Sequence, residues 1–75
     1  MPKLSDVSGK EVIRRLEKLG FVAVRQRGSH VVMKKETQDD TIGCVVPLRK
    51  ALRKGTLWGI LRLAKVSPEL FESVG

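Results

Sequence analysis

The sequence contains no tyrosine, and its aromatic residues amount to one tryptophan and two phenylalanines. Phe21, Trp58 and Phe71 are too few and too scattered to build the stacking platform on which single-strand-binding proteins lay successive bases. One cysteine, Cys44, excludes an intramolecular disulfide, and with one histidine, His30, it leaves no Cys/His zinc quartet. Acidic residues are scarce, 8 against 15 Lys and Arg. The adjacent Asp39-Asp40 pair reads as a turn rather than a magnesium site. No apolar run is long enough to span a bilayer, and Met1-Pro2-Lys3-Leu4 lacks the apolar region of a signal peptide. A cytoplasmic protein with no membrane segment is therefore expected.

What is present fits one small domain over residues 1–75. Hydrophobic residues make up 41% of the chain, enough for a single compact core and too many for a disordered tail. The formal charge is +7. At this size such an excess points to a polyanionic partner: nucleic acid, an acidic protein or an anionic surface.

After a lead-in over residues 1–7, Ser8-Gly9-Lys10-Glu11 has the form of a capping box, with Glu11 expected to reach back to Ser8. Val12, Ile13, Leu16 and Leu19 then mark the buried stripe of a helix that Gly20 ends, with Lys10, Arg14, Arg15 and Lys18 on the other face. Phe21–Gln26 predicts a strand with Val22 and Val24 on one face and Phe21 and Ala23 on the other. Arg27-Gly28-Ser29 predicts a tight turn, His30–Lys35 the return strand of a hairpin, and Thr41–Val46 a third strand closed by Pro47. Leu48, Ala51 and Leu52 suggest one helical turn. Thr56 then suggests the N-cap of a helix burying Leu57, Ile60, Leu61 and Ala64. Ser67-Pro68 opens a last short helix anchored by Leu70 and Phe71. Strands this close in sequence pair as an antiparallel meander. The expected fold is α+β: helix, three antiparallel strands and helix in a two-layer sandwich, the shape of a double-stranded-RNA-binding domain.

Charge is segregated along the chain. From Lys10 to Lys35 there are eight basic residues and two acidic; from Arg49 to Lys65 there are six basic and none acidic. A positive surface of this kind suits phosphate contacts, though it would also serve simply as a solvated face. Histidine ordinarily changes charge near neutrality, and His30 stands where a glycine turn enters a strand, with Arg25, Arg27, Lys34 and Lys35 near in sequence. Read alone, it is either a strand residue filling a surface position or a proton-transfer group. Cys44, on an apolar strand, reads as core. The hydroxyls of Ser29 and Thr56 read as turn and cap groups. Gly28-Ser29-His30 lies between two strands and so is not the strand-to-helix elbow of a hydrolase.

Three features together resemble the HicA toxin family: a helix ending in Leu19-Gly20-Phe21; the run Arg25-Gln26-Arg27-Gly28-Ser29-His30; and Val46-Pro47 followed by Leu52-Arg53-Lys54-Gly55-Thr56-Leu57 and Ile60-Leu61. The resemblance runs from about Lys10 to Phe71. It implies a double-stranded-RNA-binding-like fold and an mRNA interferase that cleaves RNA without metal or cofactor and is paired with a HicB-like antitoxin. It places the catalytic histidine on His30, in a turn supported by Gly28 and Ser29. RNA contacts are expected from Arg25, Arg27, Lys34, Lys35, Arg49, Lys50, Arg53 and Lys54. Many family members carry a second histidine two residues after the proline, where this chain has Arg49. Arginine does not shuttle protons at neutral pH, so phosphate binding is its expected role. The alternatives are a non-catalytic RNA-binding module using the same basic face and a protein-interaction domain for an acidic partner. Oligomeric state is left open.

Overall fold

The computed structural model describes residues 7–75. It contains α1 (Gly9–Lys18), β1 (Val22–Arg27), β2 (His30–Glu36), β3 (Thr41–Pro47), α2 (Lys54–Ala64) and α3 (Pro68–Ser73). The strands form one antiparallel sheet in the order β1-β2-β3, so the expected α+β arrangement is the observed one. The lead-in expected before α1 lies outside the described residues apart from Val7, which is buried.

In α1, Ser8 Oγ accepts the Glu11 backbone N–H at 3.0 Å, and Val12 and Leu16 are fully buried. The reciprocal half of the capping box is not made. Glu11 instead accepts from Arg14 Nε at 2.9 Å and Arg15 Nε at 2.8 Å. Guanidinium groups three and four residues on share a helix face with the carboxylate, and their charge-assisted bonds outcompete a single backbone amide. This also removes Arg15 from the solvated face. Its guanidinium lies 4.6 Å from the centre of the Phe71 ring and donates to the Phe71 carbonyl at 3.4 Å, fastening α3 to α1.

The sheet has one covered face. Val31 and Met33 of β2 and Cys44 and Val46 of β3 point inward against α1 and α2, following the two-residue period of a pleated strand. β1 departs from the expected two-faced pattern. Phe21 is buried but precedes the strand, and every residue of β1 is exposed. The register slips between Ala23 and Arg25, a bulge in which one extra residue on β1 breaks the alternation. Val22 and Val24 are left 61% and 52% exposed.

The helical turn expected over residues 48–52 does not form, because that backbone bonds to distant partners instead. Leu48 N–H donates to the Ser29 carbonyl, Arg49 C=O accepts from Gly9 N–H, and Leu52 N–H donates to the Val7 carbonyl. Gly9 permits this approach, since a Cβ there would overlap the Pro47 carbonyl oxygen. α2 consequently starts at Lys54 with Arg53 as N-cap, and Thr56 lies inside its first turn rather than capping it. Its buried stripe is the expected Leu57, Ile60, Leu61 and Ala64. In α3, Ser67 Oγ caps Leu70 N–H at 3.1 Å and Phe71 is fully buried, whereas Leu70 is exposed and lies outside the core.

Candidate functional site

The β1–β2 connection is a two-residue loop, Gly28-Ser29. Gly28 has φ 57°, the left-handed region that a side chain resists, at the first central position, as in a type II′ hairpin turn. Gln26 Nε2 donates to the Gly28 carbonyl at 3.0 Å and braces the loop. The hairpin register pairs His30 with Arg27 on one side, and the β2–β3 register pairs it with Pro47 on the other. His30 is therefore the middle member of a row crossing all three strands.

Paired residues in a sheet point to the same face. Since Val31 and Met33 face the helices, His30, Val32 and Lys34 face away from them, and His30 is exposed. Arg27, opposite His30, and Arg25, opposite Val32, share this open face. Lys34 shares it too, but four residues along β2, roughly 13 Å from His30 at the rise of a strand. Lys35 does not share it. Its ammonium lies 5.8 Å from the centre of the Phe21 ring, on the helix side of the sheet.

The 48–53 segment brings a second group of cations to the turn. The Leu48–Ser29 hydrogen bond, 2.6 Å long, sets Leu48 against the residue preceding His30, and Arg49 and Lys50 follow directly. Ser8, Lys10, Leu48, Arg49 and Lys50 line a cleft of about 280 Å³ there. The sequence does not mark Ser8 and Lys10 as neighbours of Arg49 and Lys50. No local signal could have found them, because their proximity to Arg49 comes from the long-range Gly9–Arg49 bond. Arg53 and Lys54 are exposed at the start of α2, and no hydrogen bond or ion pair among the described residues ties their side chains to the His30 turn.

Other groups are occupied elsewhere. Cys44 is buried, and burial pushes its thiol up to about 11, so it is protonated at neutral pH and serves the core. Asp40 caps its own turn, its Oδ1 accepting the Thr41 N–H at 2.7 Å. Trp58 is packed partly against the core rather than presented for stacking. Among the described residues, no group of three or more His, Cys, Asp or Glu is placed to hold a metal ion, and no helix is long and apolar enough to cross a membrane.

What the arrangement offers is an exposed imidazole with no carboxylate paired across either neighbouring strand, flanked by guanidinium groups on one side and by Arg49 and Lys50 beyond the other. Comparison with protein families matches residues 9–66 to a family described as HicA toxin of bacterial toxin-antitoxin, leaving only α3 and the extreme N-terminus outside. No curated protein matches the chain. The match covers more than three quarters of the sequence and takes in the His30 hairpin, the Leu48–Lys50 segment and both long helices: the chain belongs to the HicA toxin family of bacterial toxin–antitoxin systems.

Proposed function

We propose that this toxin is an endoribonuclease that cleaves mRNA without a metal, using His30 for proton transfer, and that a HicB-like antitoxin holds it inactive in the cytoplasm. The observation that carries this reading is the row Arg27–His30–Pro47. It puts the single histidine on the open face, beside a guanidinium and next to the Arg49–Lys50 segment. RNA carries its own nucleophile. The ribose 2′-oxygen attacks the adjacent phosphorus as its proton is removed, the bond from phosphorus to the 5′-oxygen breaks, and that oxygen takes up a proton. An imidazole can accept the first proton as general base or supply one to the leaving oxygen as general acid. Arg27 and Arg49 would offset the charge that builds on the phosphoryl oxygens, a task for which planar guanidinium groups are suited. With Arg49 in place of a second histidine, His30 makes one of the two transfers and water serves the other oxygen.

The test is cleavage of a labelled RNA in the presence of EDTA by the parent protein and by His30→Ala. His30 is exposed and adds nothing to the core, so the variant should fold as the parent does by circular dichroism. Loss of a general acid or base lowers the rate by about 10²–10⁴-fold. Equal cleavage by the two proteins would remove His30 from the chemistry, and binding without cleavage by the parent would make the protein a non-catalytic RNA-binding module.

A further inference from the structure

We propose that the cleft between Ser8–Lys10 and Leu48–Lys50 seats one nucleotide of a single-stranded RNA segment, next to the phosphodiester at His30. The proposal rests on the ribonuclease reading and adds to it a substrate class, unpaired RNA, and a binding subsite that includes Lys10.

The cleft adjoins the His30 row. Pro47 is paired with His30, and the next residue, Leu48, is hydrogen-bonded to Ser29, so the cleft opens one residue beyond the His30 row. A chain of RNA with one phosphate at His30 meets this cleft as it leaves the sheet. The cleft is also built rather than incidental. The Gly9–Arg49 and Val7–Leu52 backbone bonds hold its two sides together, and the missing side chain of Gly9 lets them close on each other.

The lining combines apolar and charged groups. Leu48 and the aliphatic stems of Lys10, Arg49 and Lys50 give hydrocarbon walls, and the same three residues supply a guanidinium and two ammonium groups, with no carboxylate among the lining residues. A free phosphate has no use for hydrocarbon walls, and an apolar side chain of a partner protein has no use for three cations. A nucleotide matches both, its base against Leu48 and the stems and its phosphate among the charges. At about 280 Å³ the cleft suits one such unit.

The rest of the surface offers a base little else. Phe21 and Phe71 are buried and Trp58 packs against the core, so the one aromatic ring on the open sheet face is the His30 imidazole, which this reading commits to the phosphodiester. Leu48 and the aliphatic stems beside it supply the surface against which an unstacked base can lie, which leaves the Arg49 guanidinium for phosphate. Bases in a duplex are already stacked and paired, so a duplex can reach the cations at the rim but cannot fill the cleft.

The experiment uses the full chain carrying His30→Ala, so that RNA survives the titration, and adds Lys10→Gln or Arg49→Gln. Both cleft residues are solvent-facing, and circular dichroism checks the fold. Two probes are titrated at one salt concentration: a single-stranded oligoribonucleotide without self-complementarity, and the same sequence annealed to its complement. Each cleft variant should weaken single-strand binding about fivefold to tenfold, the size of one lost stacking or charge-assisted contact, and duplex binding about twofold at most. Lys65→Gln, which removes one charge beside Asp40 at the opposite end of the sheet, should affect both probes equally and slightly. If the cleft variants weaken both probes to the same extent, the cleft is only part of a general positive surface and the proposal falls. It falls equally if neither probe is affected. Failure of the ribonuclease reading would show separately, as an absence of cleavage by the parent protein.

Discussion

His30 and Cys44 lie on neighbouring strands yet have opposite surroundings, because one projects from the open face of the sheet and the other into the core. Burial that raises the Cys44 thiol to about 11 also shields it from reagents. A disulfide-exchange reagent such as dithiobis-nitrobenzoate should therefore react with the native protein far more slowly than with the protein in denaturant, at a rate set by opening of the structure. Immediate reaction of the native protein would contradict the burial of Cys44. The glycines separate in the same way. Adding a methyl group at Gly9 drives it into the Pro47 backbone, which cannot turn aside as a flexible side chain would. Gly9→Ala should cost about 1–3 kcal/mol, the range for overpacking. At Gly59, within α2, a Cβ meets nothing within 4 Å. Gly59→Ala should instead stabilise the protein by roughly 0.5–1 kcal/mol by lowering the freedom of the unfolded chain. Urea denaturation of the two variants checks both signs, and a gain at Gly9 or a loss at Gly59 would refute the packing described for that residue.

The first and last helices are joined by one polar cluster, and the titration of its carboxylate bears on stability in acid. Hydrogen bonds from Arg14 and then Arg15 lower the Glu11 carboxyl from its ordinary 4.5 to about 2. A carboxyl depressed in the folded state contributes stability that is complete above the unfolded value, near 4.5, and is lost as pH falls through about 2. Thermal stability should accordingly decline between pH 4.5 and pH 2, and Glu11→Gln should flatten that part of the profile while lowering stability at neutral pH. An unchanged profile in Glu11→Gln would mean that other carboxyls govern the acid transition. The same cluster shows what a sequence makes readable. The stripes of α1 and α2 were legible because burying one helix face imposes a local period, and the Gly28 turn was legible because a tight hairpin demands a residue that tolerates positive φ. The bulge in β1, the extended path of residues 48–53 and the diversion of Glu11 to Arg14 and Arg15 were not. Each is decided by competition with partners that local periodicity does not register. His30 could be singled out as a candidate from its glycine turn and from the family resemblance. Lys10 could not be, because a fold-spanning hydrogen bond brings it to the cleft.

Covering one sheet face with helices leaves the other open, and this divides the basic residues into groups that the net charge of +7 does not distinguish. Arg25, Arg27 and Lys34 project from the open face with His30, whereas Lys35, one residue from Lys34, turns to the Phe21 ring on the covered side. Neutralising phosphates releases condensed counterions, so the logarithm of RNA affinity should fall linearly with the logarithm of salt concentration, by about 0.7 per phosphate contacted on a single strand. In the His30→Ala background, replacing Arg25 and Arg27 together by Gln should make that line shallower by about 1.4, two contacts' worth, and weaken binding to all sequences alike. Lys35→Gln removes the same unit of charge as either arginine substitution but takes it from the wrong side of the sheet, so it should leave the slope unchanged within error. If Lys35→Gln flattened the line as much as a single arginine substitution, binding would be following total charge rather than the open face. In that case the row through His30 would lose its claim to be where RNA lies.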